Sequence, residues 1–329
     1  MAAVAFAGCQ DDAQPPATLV AIATRPVDSG GPGTPLRVFD AVTGKTKLET
    51  EPGRWFAPAF SADGQRLFVV SLTAGGDDSE ATWHFIDVGS GKDETIAVGL
   101  FELAGNMVWA PDSSRFASAG KDGLVVTDRR GKRVGEPVTG IVRADGGVST
   151  AGLMWAKDSN LVAASINGEI LFATREGKPA GKLRAEDFPG AQEGDVVQLW
   201  LRPATGTFRV SRGSRARGAV PDFFAATVAN GNVTLALDSG VVAAMEAESK
   251  ALMQDVAAAE KLVPGGVGAS GGKTADGEGR VVEVNPGPTS PAGFRAQLVV
   301  FTSGGSLVVD PGLPAPSRLQ GTYSVVITK

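Results

Sequence analysis

Few residues of this chain are equipped for chemistry, and their types limit the reactions that it could perform. The sequence contains one histidine, His84, and one cysteine, Cys9. A zinc site of the usual ligand set needs several His or Cys side chains, so these two residues cannot form one. A single cysteine also excludes an intramolecular disulfide, and only His84 could act as the base for a His-dependent nucleophile. We therefore predict no catalytic residues, no metal site and no cofactor.

Two glycine-rich motifs resemble catalytic signatures but lack residues that the chemistry requires. Residues 268–272 spell G-x-S-x-G, yet an α/β-hydrolase also needs a preceding strand, a following helix and a downstream histidine, which this sequence does not supply. Residues 271–274 resemble the end of a phosphate-binding loop, but Val267 replaces the glycine that should stand five positions before Gly272. Neither motif predicts an active site.

The charge balance argues against nucleic acid as a partner. The formal net charge is -5 at pH 7, with 31 Lys and Arg against 36 Asp and Glu, so no overall basic face is available to neutralise phosphates. One local exception is a run of four arginines within nine residues, Arg209, Arg212, Arg215 and Arg217. This run is either a solvated basic loop or a docking patch for an acidic partner, and these four are the candidate partner-binding residues.

Two short patterns recur along the chain, and the first is an aromatic residue followed three positions later by Asp. The copies are Phe60 with Asp63, Trp109 with Asp112, and Trp155 with Asp158, and a degenerate fourth copy begins at Trp200. The aromatic residues are about 45 to 49 positions apart, a period typical of repeat architectures. We expect each aromatic ring to pack between neighbouring sheets and each Asp to accept backbone N–H bonds in a turn, rather than to act in catalysis.

The second pattern is an apolar strand that ends in a Gly-Lys turn. It occurs at Gly44, Gly91, Gly131 and Gly177, with weaker candidates at Gly231, Gly272 and Gly312. Between the two patterns lie dipeptides that favour tight β-hairpin turns. These are Asp-Gly at residues 122–123 and Asn-Gly at residues 167–168. Each repeat is thus predicted to be a small antiparallel meander, and the turns predict about seven four-stranded units, with six or eight also open.

These residues resemble a known family. Residues 60–71 and 109–118 are similar to the WD-like repeat of TolB-type propellers, and the resemblance is clear over about residues 55–180. It implies an all-β fold, a β-propeller with four-stranded blades around a channel. We predict one propeller domain over residues 18–329, in which residues 321–328 supply the strand that the first blade lacks and so close the ring.

The N-terminus resembles the end of a bacterial lipoprotein signal, because the small residues Ala7 and Gly8 precede Cys9. The resemblance implies that Cys9 receives a lipid, that residues 1–17 are a signal remnant and tether, and that the protein is anchored to a membrane of the cell envelope outside the cytoplasm. The alternative is an ordinary thiol near the chain end. No other segment approaches the ~18 to 20 consecutive apolar residues of a membrane span, so the body is predicted to be soluble.

One segment departs from the β pattern. Residues 241–262 are rich in helix formers and place Met245, Leu252, Val256 and Ala259 near one face, with Met253 at its margin, which predicts a helix. Pro264 and the glycines up to Gly279 predict the end of this helix and a mobile loop, so residues 241–279 form one insertion in the propeller.

From these observations we predict a monomeric, non-catalytic binding or scaffolding propeller that recognises an envelope protein, peptide or glycan through loops on one face. The alternative is a propeller enzyme, a lactonase-like hydrolase or a lyase, that uses channel carboxylates, possibly with calcium. The acid-rich residues 75–80 are candidate calcium ligands, although a solvated turn explains them better.

Overall fold

The computed structural model describes residues 17–23, 34–72, 81–98, 107–141, 149–193, 195–200, 208–213, 221–312 and 323–328. These residues form six antiparallel sheets, numbered blades 1 to 6, and one long helix. The strands carry long apolar runs, and in β-sheets such runs indicate burial on both faces. Each blade therefore needs a neighbour on either side.

Blades 1 to 3 combine the C-terminal strand with the first half of the chain. Blade 1 has the order β23 (Tyr323–Ile327), β1 (Thr18–Ile22), β2 (Arg37–Asp40), β3 (Thr46–Glu49). Blade 2 has the order β4 (Arg54–Phe60), β5 (Arg66–Leu72), β6 (Ala81–Asp87), β7 (Asp93–Val98). Blade 3 has the order β8 (Met107–Trp109), β9 (Arg115–Gly120), β10 (Gly123–Asp128), and isolated bridges from β10 to Arg133 and Val138 continue it.

Blades 4 to 6 follow in sequence, with the helix α1 (Val241–Leu262) between blades 5 and 6. Blade 4 has the order β11 (Thr150–Trp155), β12 (Leu161–Ile166), β13 (Glu169–Thr174), β14 (Pro179–Leu183). Blade 5 has the order β15 (Val196–Trp200), β16 (Phe208–Gly213), β17 (Asp222–Ala229), β18 (Asn232–Leu237). Blade 6 has the order β19 (Gly266–Lys273), β20 (Arg280–Pro286), β21 (Gln297–Thr302), β22 (Gly305–Val309).

Apolar clusters between successive blades connect them into a ring. Such clusters join blades 1 and 2, 2 and 3, 3 and 4, 4 and 5, and 6 and 1. Between blades 5 and 6 the helix takes the place of a neighbouring blade, since Ala259 and Val263 pack on Val282 and Val284 of β20. The fold is a β-propeller whose described residues form six blades, within the predicted range of six to eight.

Strand β23 closes the ring as the sequence predicts. It pairs antiparallel with β1, with Leu19 opposite Val326 and Val20 opposite Val325. Its side chains alternate, so that Val326 packs between blades 1 and 2 while Val325 packs between blades 6 and 1. The N- and C-terminal strands of the domain thus form the inner half of one blade, and both neighbouring blades depend on their pairing.

The repeated aromatic residues connect neighbouring blades by hydrogen bonds. The indole Nε1 of Trp109 donates to the carbonyl of Ala59 at 2.9 Å, and Nε1 of Trp155 donates to the carbonyl of Val108 at 3.2 Å. Each indole is nearly buried and bonds to the inner strand of the preceding blade. The predicted position of these rings between sheets is therefore confirmed. The degenerate copy differs, because Trp200 Nε1 donates to Ser211 within its own blade.

The repeated aspartates are turn formers, also as predicted. The carboxylates of Asp63, Asp112 and Asp158 each accept the backbone N–H two residues later at 3.0 to 3.1 Å. Burial opposes the ionised form of Asp112, but hydrogen bonds from Ser114 and the charge of Arg175 outweigh it and lower the pKa of this carboxyl. Because Arg175 belongs to blade 4 and lies 3.3 Å from Asp112 of blade 3, the turn also connects two blades.

For the region after blade 5, the structure confirms one prediction and contradicts three. The helix spans Val241–Leu262, as predicted. The glycine-rich stretch that follows is not a loop, because Gly266–Lys273 form β19, the first strand of blade 6. For the same reason Gly272 does not mark a turn between two strands of a blade. The predicted turn at Gly312 is also wrong, because Gly312 lies beyond the last strand of blade 6. In the part of the chain that the structure describes, no helix has the length and apolarity that crossing a bilayer requires.

Candidate functional site

The first strands of blades 3 to 6 line a large cavity on the inner side of the ring. Its volume is about 1110 Å³, which exceeds the roughly 300 to 1,000 Å³ of typical small-molecule pockets. The helix α1 forms one wall, and the strands β8, β11, β15 and β19 form the others. The apolar part of the lining comprises Met107, Val108, Leu153, Leu199, Trp200, Met245, Ala251, Leu252 and Val281. The cavity thus combines an apolar surface with an element that is not part of the repeat.

The glycines of β19 allow α1 to lie directly on this strand. A Cβ atom at Gly268 would come 2.6 Å from Val256, and one at Gly271 would come 2.6 Å from Leu252 and 2.9 Å from the carbonyl oxygen of Val281. Larger residues at these positions would push the helix away from the sheet. The glycine-rich sequence is therefore explained by helix packing beside the cavity.

Charged groups cluster where the helix meets blade 6. Asp255 is 7% exposed and pairs with Arg280 across a distance of 3.0 Å between Oδ2 and Nε, so its charge is compensated. Lys273 also lines the cavity, and no described carboxylate lies within ion-pair distance of it. Glu248 lines the same wall. This side of the cavity offers charged and hydrogen-bonding groups next to the apolar lining.

The carboxylates of the cavity do not form a metal centre in the described part of the chain. Asp255 and Glu248 are the acidic residues of the lining, and no group of three or more described His, Cys, Asp or Glu residues is arranged to hold a metal ion. The acid-rich residues 75–80 lie outside the described ranges. The calcium-assisted alternative therefore remains a prediction.

The candidate arginines divide into two groups. Arg209 and Arg212 lie on β16, where Arg209 pairs with Asp238 at 3.3 Å and Arg212 contacts Asp222 and Asp195. Both side chains thus have acidic partners within blade 5. Arg215 and Arg217 lie outside the described residues, as does the predicted lipidation site Cys9. The assignment of the four arginines to partner binding remains a prediction.

A buried polar cluster lies at the junction of blades 6 and 1. Tyr323 of β23 lies beside Glu283 of β20, which is 4% exposed, and Asn285 lies 3.4 Å from the same carboxylate. Burial raises the pKa of Tyr323, and the neighbouring Glu283 raises it further. The phenol therefore stays protonated, as a hydrogen-bond donor for Glu283 must. We assign this cluster to ring closure rather than to the site.

Sequence reasoning missed most of the cavity. It identified Met245 and Leu252 as one face of a helix but not the strands opposite, and it interpreted residues 266–273 as a loop. One signal was available: glycines at positions 266, 268, 271 and 272 remove side chains along a stretch that follows an amphipathic helix. Such spacing can indicate a close approach of two backbones as well as a loop.

Comparisons with known proteins give only a general likeness to solved propeller structures. No protein-family model and no curated protein matches the sequence. Among solved structures, the chain is similar to the Cps50 (Swd1) β-propeller domain of Myceliophteria thermophila, with 14% identity, a TM-score of 0.40 and coverage of 89% of this chain and 84% of that one. A putative TolB from Agrobacterium tumefaciens shows 12% identity and a TM-score of 0.34 over 95% and 98%.

A third similar structure is a putative 6-phosphogluconolactonase from Bacteroides fragilis, with 12% identity and a TM-score of 0.38 over 94% of this chain and 87% of that one. At these identities and TM-scores the likenesses carry no argument about function. The six blades, their order and their closure by β23 are what define the fold of this chain.

Proposed function

We propose that this protein is a binding propeller of the bacterial cell envelope, and that the cavity beside α1 holds, without catalysis, an extended peptide of a partner protein. The observation that carries the proposal is the cavity itself: four first strands and the helix converge on a space of about 1110 Å³. Binding sites tend to occur where an excursion from a rigid scaffold meets that scaffold, as α1 does in this propeller.

The chemistry of the walls favours a peptide. Met245 and Leu252 are more than a third exposed on the helix, and Trp200 adds an aromatic surface from β15. Exposed methionines adapt to apolar side chains of varied shape, and aromatic residues contribute strongly at interfaces. Lys273 offers a cation to a carboxylate or a backbone carbonyl of the ligand. A glycan could also stack on Trp200, and enzymatic digestion of the ligand separates the two ligand classes.

The envelope location rests on the N-terminal sequence. Ala7, Gly8 and Cys9 support lipid attachment at Cys9, which would anchor the propeller to a membrane through a short tether. The mass of the N-terminal peptide from the native protein measures this attachment directly. A peptide that retains an unmodified thiol would contradict the anchored location.

The binding site is tested with two variants of one helix. We expect Met245→Glu to weaken partner capture at least about tenfold, because it places a charge on the apolar wall of the cavity. Met253→Glu is the matched control: Met253 is 67% exposed on the same helix and does not line the cavity, so capture should be unchanged. Capture is measured by pull-down from envelope extracts with tagged protein, and then by the Kd of the purified partner.

Treatment of the extract before capture identifies the ligand class. A peptide ligand is lost after protease treatment and survives glycosidase treatment, whereas a glycan shows the opposite pattern. Equal capture by wild-type protein and Met245→Glu, with both variants folded by thermal melting, would contradict a site in the cavity. Failure of the wild-type protein to capture any specific partner would contradict the binding function.

A further inference from the structure

The only histidine of the chain lies in a hydrogen-bonded row that crosses blade 2. His84 on β6 is flanked by Ser71 on β5 and Asp93 on β7. Ser71 Oγ lies 2.8 Å from His84 Nε2, and Asp93 Oδ2 lies 2.6 Å from His84 Nδ1. An ionised Asp93 can only accept, so Nδ1 carries the proton and Nε2 is free to accept from the Ser71 hydroxyl. These are the atoms and distances of a nucleophile, a general base and an orienting carboxylate.

The surroundings bury the imidazole and leave Ser71 partly exposed. His84 is 9% exposed, and its ring meets the edge of Trp55 at a centroid distance of 4.9 Å and an interplanar angle of 65°. Trp55 lies opposite Ser71 in the register of β4 and β5. Ser71 is half-buried and the side chain of Asp93 is 35% exposed. The base is therefore fixed, and the nucleophile lies on the same face of blade 2 as Val69, which packs towards blade 1.

The repeat offers an internal comparison that argues against a purely structural role. His84 pairs with the residue six positions after the repeated Asp63, and the residues paired at the same place are Val125 in blade 3 and Leu171 in blade 4. Counted from the Gly-Lys turns, the position of Asp93 corresponds to Arg133 and Pro179. Counted from the repeated aspartates, Ser71 corresponds to Gly120 and Ile166. Blades 3 and 4 thus form without any of these three groups. Three independent departures from the repeat coincide in one hydrogen-bonded row.

We propose that Ser71 is an activated nucleophile that accepts acyl groups from carboxylic esters, with His84 as general base and Asp93 as the residue that positions it. Trp55 provides an apolar surface beside Ser71. The acyl or the alkyl group of the ester would pack on this surface. The row belongs to blade 2, and no residue of blade 2 lines the cavity beside α1. This activity is therefore separate from the proposed binding function.

The reaction balances without any additional reagent. Ser71 Oγ attacks the ester carbonyl carbon while His84 Nε2 takes the hydroxyl proton, and the tetrahedral intermediate expels the alcohol oxygen, which receives that proton from His84. Water then attacks the acyl carbon, gives its proton to His84 and releases the acid as Ser71 regains a proton. One ester and one water yield one acid and one alcohol, and Asp93 remains ionised throughout.

The test uses a fluorophosphonate probe on the intact protein, because its phosphorus is attacked by activated serines with loss of fluoride. We expect one label per chain, on Ser71, and none on the Ser71→Ala variant. His84→Gln keeps a hydrogen-bonding side chain but cannot take the proton, so labelling should slow at least about 100-fold, and Asp93→Asn should slow it similarly.

The matched control is Ser90 on the same blade. It is exposed and donates to the Asp87 carboxylate at 2.8 Å, so it has a carboxylate partner but no imidazole. Ser90→Ala should leave the labelling rate unchanged, and hydrolysis of p-nitrophenyl acetate should follow the labelling of each variant. Labelling of Ser71 no faster than Ser90, or a wild-type rate in folded His84→Gln and Asp93→Asn, would overturn the proposal. Should one of these variants unfold, the other one and Ser71→Ala still decide the question.

Discussion

Val326→Asp is expected to lower the free energy of unfolding by about 4 kcal/mol, the scale for an unpaired charge placed in a core. Val326 is fully buried on β23, opposite Leu19, and lies in the cluster between blades 1 and 2. Because β23 and β1 come from opposite ends of the domain, loss of their pairing removes the only described strand pairing that joins those two ends. Urea unfolding, followed by tryptophan fluorescence, measures the effect.

Val308→Asp is the matched control for this result. Val308 is 41% exposed on β22, the last strand of blade 6, so the same substitution should cost about 1 kcal/mol or less there. Equal effects of the two substitutions would mean that β23 contributes no more than an exposed edge strand. The closed ring would then not be the source of stability.

Gly177→Ala is expected to destabilise the protein by about 3 kcal/mol, clearly more than Gly44→Ala. The two glycines occupy the same position of the Gly-Lys turn and have nearly the same left-handed φ angle, +71° and +70°. Both substitutions therefore carry the same backbone strain of about 1 kcal/mol. They differ in surroundings, since a Cβ at Gly177 would lie 1.9 Å from the carbonyl oxygen of Val134 in blade 3, whereas nothing lies within 4 Å at Gly44.

The difference between these two variants isolates the contact between blades 3 and 4 from the conformation of the turn. Thermal unfolding of both, at equal protein concentration, gives the comparison. If Gly44→Ala and Gly177→Ala lower the Tm by the same amount, the blades do not approach each other at this turn as closely as described.

The repeats made the blades predictable because their signals are local. An aromatic residue, an aspartate three positions later and a Gly-Lys turn each act within a few residues, and the structure assigns Trp109, Asp112 and Gly131 the predicted roles. The closure by β23 was also predictable, since blade 1 lacked a strand that a segment near the C-terminus could provide. Such inferences need only counting and turn chemistry.

The sites were less predictable because they depend on tertiary register. Ser71 and His84 are 13 positions apart, and whether they meet depends on the pairing of β5 with β6, which places Val69 opposite His84. The sequence identified His84 as the only possible base but gave no partner for it. Likewise, the glycines of β19 favour a loop by composition, and only the helix packed on Gly268 and Gly271 explains why a strand forms there.

Hydrogen exchange of the wild-type protein tests the closed ring most directly. In the closed ring the strand Tyr323–Ile327 pairs with Thr18–Ile22. The carbonyl of Val325 also accepts a hydrogen bond of 2.7 Å from the backbone N–H of Ala275, which belongs to blade 6. Peptides that cover β23 and β1 should therefore exchange as slowly as those that cover β5, through global unfolding alone. Exchange of β23 at the rate of an unstructured chain end, while β5 stays protected, would show that the ring is open.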